Sequence, residues 1–296
     1  MKWTPGGSSD DIEDRRDNDD SGGSGGFRAG GFGAPHLGIG GVIIVFILSV
    51  VFHQDFFQYF SGAPAAVDRP VARTNPGGTP AETRSAEFAK FVINDTQKAW
   101  GQLLPDQTGK PYRHAKLVLF RNATQSACGA AESATGPFYC PGDEKVYIDL
   151  SFYDELQRRF KAPGEFAQAY VIAHEVGHHI QKLTGTTDKI DALRGRAGEA
   201  EMNRASVKLE LQADCYAGVW GHFAAEFKNQ LDPGDVDQAL TAAAAIGDDR
   251  LQRQSQGTVQ PESFTHGTSA QRMRWFKRGQ DSGKPGDCDT FGAASL

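Results

Sequence analysis

Residues 169–183, AYVIAHEVGHHIQKL, place three histidines within six positions and one glutamate beside the first. His174 and His178 are four apart, so in a helix they project from one face, one turn above the other. Two imidazoles placed that way can share a Zn²⁺ ion in a tetrahedral set, at about 2.0–2.1 Å each. Glu175 sits one residue off that line. From there it reaches a water beside the metal rather than the metal itself, which is the place of a general base. The surrounding positions are apolar (Tyr170, Val171, Ile172, Ala173, Val176), so the pair must be partly buried. Burying two imidazoles and a carboxylate without a partner is costly, and a metal removes the difficulty. His179 lies about 140° round the helix from His174 and reads as a supporting polar residue, not a ligand.

A catalytic zinc keeps three protein ligands and one open position. After His178 the chain continues HIQKLTG, so no third histidine follows at close spacing and a carboxylate from a later element is expected. Asp188, Asp191, Glu199 and Glu201 fall in a stretch that reads as loop or irregular helix. Glu210 and Asp214 stand four apart in ELQAD, on an otherwise apolar helix where charged side chains are rarely buried unless paired or bound to metal. Glu210 is therefore the expected third ligand. Asp214, one turn along, is expected to accept the free N–H of a ligand imidazole and so fix its tautomer. Peptide hydrolysis also needs a donor for the developing oxyanion. His266, in SFTHGTSAQRMRWF, is the candidate because it opens a helix from a polar turn, with Arg272 the alternative.

The elements that must position these residues read as an α+β domain, a small sheet packed on long helices. KLVLF (116–120) and KVYIDL (145–150) are β-rich runs. Helices are expected over 85–104 with Ser85 as N-cap, from Ser151 with Asp154 at capping-box spacing, and over 165–183 up to Gly185. Others follow over 206–228, over 235–254 and over 268–278.

With 296 residues, 39% of them hydrophobic, the chain holds one full-sized domain with appendages. Its 31 basic and 37 acidic side chains give a net charge of −6, which argues against a nucleic-acid partner. Residues 1–36, rich in Asp and Gly, cannot bury enough apolar surface to order themselves and read as a disordered tail. The run LGIGGVIIVFILSVVF, Leu37 to Phe52, has the character of a membrane span once its flanks extend it to 37–56. A long acidic stretch precedes it, so a retained anchor is expected rather than a cleaved signal peptide. Residues 57–84 form a Pro/Gly/Ala linker, and 85–296 the folded domain. All four cysteines follow the apolar run. An even count without CxxC spacing predicts two disulfides, Cys128–Cys140 across a short loop and Cys215–Cys288 tying the C-terminal segment to a helix, in a domain outside the cytoplasm.

Together these segments, from the opening KWTPGGSSDDIEDRR through GPFYCPGDEKVYIDLSFYDEL, SVKLELQADCYAGVW and IGDDRLQ to SFTHGTSAQRMRWFKRG, resemble the neutral zinc metallopeptidases, a family of bacterial single-pass membrane proteins. The resemblance implies a zincin-like fold with zinc on His174, His178 and Glu210, Glu175 as base and Asp214 behind a ligand histidine. From the anchor and the cysteines, an inner-membrane location with the domain on the periplasmic or extracytoplasmic side is expected, and from the site a peptide or protein substrate. By analogy with zincins, KVYIDL is the expected sheet edge that pairs with extended substrate. A zincin-fold binding module with weak turnover is the alternative, which retention of Glu175 disfavours.

Overall fold

The computed structural model describes residues 1–5, 10–17, 78–133 and 136–296. The expected membrane span, 37–56, lies outside the described residues. Among the described residues no helix is long and apolar enough to cross a membrane.

The fold is α+β, as expected. Its sheet is built on β2 (Lys116–Phe120) and β6 (Lys145–Asp149), paired in parallel from Lys116↔Lys145 to Phe120↔Asp149. Both strands are buried along almost their whole length, which is why they read as continuous apolar runs rather than alternating ones. On the far side of β2 lies β1 (Ile12–Asp14), also parallel, and β5 (Phe138–Cys140) runs antiparallel on β6, giving the order β1-β2-β6-β5. A separate hairpin joins β3 (Ala123–Ser126) and β4 (Gly129–Glu132).

Two expectations are corrected here. Residues 1–36 are not a tail without structure throughout: Ile12–Asp14 is a strand of the sheet. Composition measures what side chains can bury, whereas this strand is held by backbone pairing to β2 and by Glu13 with Lys145 at 2.7 Å. And KVYIDL is not the sheet edge. It lies inside the sheet, and β5, too short to register as a strand pattern, forms the edge.

The helices start and stop where local chemistry dictates. α1 (Pro80–Thr108) begins five residues before Ser85, because Thr79 caps it by accepting the Glu82 N–H at 3.2 Å and Pro80 fits the first turn. In α2 (Ser151–Arg158) Ser151 is not the cap; the Asp149 carboxylate accepts the Ser151 N–H at 2.9 Å. α3 (Glu165–Thr184) ends at Gly185, whose φ of 82° suits glycine, and the short α4 (Thr186–Asp191) follows. α5 (Glu199–Glu226) starts well before residue 206, so Glu199 and Glu201 form its first turn. The single helix expected over 235–254 is two, α6 (Asp235–Ala245) and α7 (Asp248–Gln256). The break falls at Gly247, where any Cβ would run into Ser269. α8 (Ser269–Ser282) opens with a capping box between Thr268 and Gln271, which leaves His266 in the preceding turn.

α3 is the buried centre of the helical layer, with α5 against it and α8 against α5. Glycines set these spacings. A Cβ on Gly177 would stand 3.0 Å from the Ala213 backbone, so its absence lets α3 and α5 touch. Gly218 and Gly279 work as a pair: a Cβ on the first would overlap the Phe276 carbonyl, and on the second the Cys215 carbonyl. Both expected disulfides form. Gly279→Ala is expected to force α5 and α8 apart and to cost at least ~1–3 kcal/mol as an overpacked core, measured as a lowered denaturant midpoint.

Candidate metal centre

Three donor atoms converge between α3 and α5. The Nε2 atoms of His174 and His178 lie 3.1 Å and 3.5 Å from the two carboxylate oxygens of Glu210, and the three groups present ligand atoms all within 4.8 Å of one another. A tetrahedral zinc with bonds of about 2.05 Å sets its ligands about 3.3 Å apart, so the donor set fits the ion. Among the described residues this is the cluster of His, Cys, Asp or Glu side chains that can hold a metal. The other early candidates are not brought to it. Asp188 pairs with Lys182 at 2.8 Å and Asp191 with Arg194 at 3.0 Å, while Glu199 and Glu201 lie in the first turn of α5.

Each ligand imidazole is oriented through its other nitrogen. His174 Nδ1 lies 2.9 Å from Asp214 Oδ1. Asp214 is wholly buried and also accepts from Tyr170 Oη at 2.5 Å and from Arg272 Nε and Nη2 at 2.8 Å and 2.9 Å. This corrects the alternative role considered for Arg272. Its guanidinium is buried in a two-point bond to Asp214, donates further to Tyr170 Oη and the Ile246 carbonyl, and is closed off from solvent. Burial alone would depress the His174 imidazole, but the Asp214 and Glu210 carboxylates outweigh it and hold it up to about 10. A proton on Nε2 therefore competes with a cation for the same position.

His178 uses a neutral partner that the sequence did not reveal. Its Nδ1 lies 2.8 Å from Gln181 Oε1. The Gln181 amide nitrogen donates to the Leu209 carbonyl at 2.6 Å and to Gln212 Oε1 at 3.2 Å, and Gln212 donates in turn to the Cys288 carbonyl at 3.0 Å. Because that nitrogen is committed to two acceptors, Oε1 must accept from His178. The chain of bonds thus fixes a proton on Nδ1 and leaves the Nε2 lone pair free. Gln181 lies three residues past His178 on a polar helix face, a spacing too common to serve as a sequence signal.

Glu175 is buried beside the two histidines, with the backbone of Tyr139 on β5 close to its carboxylate. Burial pushes its acidity to a higher pKa than an ordinary carboxylate, only partly offset by His174 and His178. His179 supports this arrangement from behind, as expected of a non-ligand. It is fully buried, donates from Nε2 to the Arg113 carbonyl at 2.7 Å, and accepts at Nδ1 from Tyr139 Oη at 2.9 Å. Tyr139 is thereby tied to α3 through its hydroxyl on His179.

His266 lies in the turn before α8, close enough to Glu210 for each to shift the other's ionisation. A carboxylate missed in the sequence holds that turn. Asp248 Oδ2 accepts the N–H groups of Thr265, His266 and Gly267 at 2.8, 2.6 and 3.0 Å, and its Oδ1 lies 3.3 Å from His266 Nδ1. Nδ1 is also 2.9 Å from Thr265 Oγ1, so Nε2 is the ring nitrogen left for other chemistry.

Comparison with known proteins agrees with this geometry. Residues 1–291 match the family described as "Putative neutral zinc metallopeptidase". The chain is 48% identical over 296 residues to the uncharacterized protein YpfJ of Escherichia coli K12, covering 99% of both chains. It is 43% identical over 213 residues to the uncharacterized protein Rv2575 of Mycobacterium tuberculosis H37Rv, covering 69% of each. No solved structure matches.

Two outcomes are expected from the orienting bonds. Gln181→Leu should weaken zinc binding ~10–100-fold by releasing the His178 ring, read by competition with a chromophoric chelator. Arg272→Met leaves Asp214 buried and uncompensated and should cost ~3–5 kcal/mol of stability, read by denaturant unfolding.

Proposed function

The chain belongs to the neutral zinc metallopeptidase family, and from that premise we propose that it is a zinc-dependent endopeptidase that cleaves peptide bonds by attack of water. The carrying observation is the convergence of His174 Nε2, His178 Nε2 and the Glu210 carboxylate on one point, with both Nδ1 atoms engaged elsewhere. Bound zinc supplies a Lewis acid that polarises the scissile carbonyl and brings the pKa of a water toward ~7.

The residues divide the remaining work. Glu175 takes the proton of the attacking water and returns it to the leaving amine; a carboxylate with a raised pKa suits both transfers. Asp214 and Gln181 keep the ligand histidines in the tautomer that presents Nε2. His266 donates from Nε2 to the oxyanion as it develops, and Asp248 holds its turn in place. Extended substrate pairs with the outward edge of β5, whose Tyr139 backbone lies beside Glu175. A binding module has no need of a buried glutamate at that position, so turnover is favoured over binding alone. The two disulfides support a location outside the cytoplasm, with the apolar run Leu37–Phe52 as the contact with the membrane.

Glu175→Gln should retain stoichiometric zinc and lose ~10²–10⁴-fold in cleavage of an unfolded protein substrate. Cleavage by the unaltered protein should stop on treatment with a strong chelator and return on adding zinc. Unchanged turnover in Glu175→Gln would overturn the assignment of the base. Metal binding without cleavage of any peptide in a degenerate library would overturn the peptidase reading.

A further inference from the structure

Residues 1–5 and 10–17 bind the domain at several separate places. The Met1 amino group lies 3.1 Å from Asp235, and the Lys2 N–H donates to the Gln230 carbonyl at 2.7 Å. Trp3 packs edge-on to Phe88 at 5.1 Å between ring centroids and donates to Glu165 at 3.1 Å. Asp11 meets Gln97 and His114, and β1 runs in register with β2 from Ile12↔Leu117 to Asp14↔Leu119. Met1, Trp3 and Ile12 all pack against the main core. These residues are part of one folded body with the residues after Gly78.

The points where the chain leaves and rejoins that body also coincide. Arg121 Nη1 donates to the Arg16 carbonyl at 2.8 Å and to Asp17 at 3.2 Å. Its Nε donates to Glu82 at 2.8 Å. Gly78 sits against the same pair: a Cβ there would stand 2.8 Å from Glu82 Oε2 and 3.0 Å from Arg121 Nη2. Residues 18–77 therefore begin and end beside one guanidinium.

This arrangement restricts how the chain can meet a bilayer. A segment that crosses once leaves its two ends on opposite sides. Ends that share one sheet and one arginine must be on the same side, so the number of crossings is even. Two crossings need about 40 apolar residues, roughly 20 for each. The apolar run between Asp17 and Gly78 is Leu37–Phe52, sixteen residues, about 24 Å as a helix against a hydrocarbon core of about 30 Å. It is too short for two crossings.

We propose that residues 1–5 and 10–17 lie on the same side of the membrane as the residues after Gly78, so that the chain between Asp17 and Gly78 does not cross a bilayer once. This takes the place of the single crossing expected from the sequence and is independent of the peptidase reading.

The test uses the full-length chain in bacterial cells. All four native cysteines are in disulfides, so single exposed reporters can be added as Asp10→Cys and, in α2, Arg158→Cys, a side chain 81% exposed. Each variant is treated with a membrane-impermeant maleimide in spheroplasts and after lysis, with the purified proteins confirming that both positions react. The expected result is equal behaviour: both reporters label before lysis, or both only after it. Labelling of one before lysis and the other only after would overturn the proposal. Labelling of both only after lysis would keep the same-side arrangement while overturning the location outside the cytoplasm.

Discussion

The carboxylate of Asp214 accepts hydrogen bonds from Tyr170 and His174 on α3 and twice from Arg272 on α8, while its own backbone belongs to α5. Three helices therefore meet at one wholly buried charge. Such a charge costs several kcal/mol to desolvate and is tolerated only with a partner of matched geometry. Arg272 is that partner, and its fork matches a carboxylate at two points. Helix α8 brings it there because Gly218 and Gly279 remove the side chains that would hold α8 away from α5. A well-packed apolar trio at these positions could be as stable. It could not hold the His174 ring with its Nε2 turned toward Glu210.

The two ligand histidines are oriented by different means, and this sets the charge of the centre. His174 is held by a carboxylate, but that carboxylate is already matched by Arg272. His178 is held by the neutral amide of Gln181. The three ligands and the groups that orient them thus contribute the single negative charge of Glu210, with Glu175 as a separate carboxylate beside them. A cation bound there keeps a net positive charge, which favours polarising a carbonyl over merely holding the ion. Had Asp214 lacked Arg272, a second uncompensated carboxylate would have lain behind the ligand and blunted that effect.

Much of the centre was legible in the sequence because it is local to two helices. The i, i+4 spacing of His174 and His178 and that of Glu210 and Asp214 each define one helix face, and charged residues in apolar helices call for a partner. The disulfides followed from an even cysteine count and loop length. What was not legible depends on how distant segments pack. Gln181 and Gln212 are ordinary helical glutamines until α3 and α5 are set side by side by Gly177. Arg272 looked available for substrate until α8 was placed. Asp248 matters only because the helix expected over 235–254 breaks at Gly247. The strands missed were those of three or four residues, β1, β3, β4 and β5, which are too short to display a period and are stabilised by the partner they pair with. The error over the sheet edge has that origin: KVYIDL carried the visible pattern, and FYC beside it formed the edge.

The disulfide Cys215–Cys288 shows how stability and site geometry share one element. It closes a loop of 73 residues, which by the chain-entropy estimate restricts the unfolded chain by about 4 kcal/mol, against about 3 kcal/mol for the 12-residue loop of Cys128–Cys140. The larger effect falls on the segment that ends the chain, whose Cys288 carbonyl accepts from Gln212. Without the covalent tie, that carbonyl would be held only by the short 3₁₀ turn Pro285–Cys288 and its neighbours. Gln212 would then be free to turn its amide, and Gln181 would lose one of the two acceptors that settle which of its atoms faces His178. A cross-link on the far side of α5 thus bears on a proton at the metal centre through two neutral amides, with no charged group intervening. Such a relay passes on orientation but not charge, which is what a ligand imidazole requires from behind.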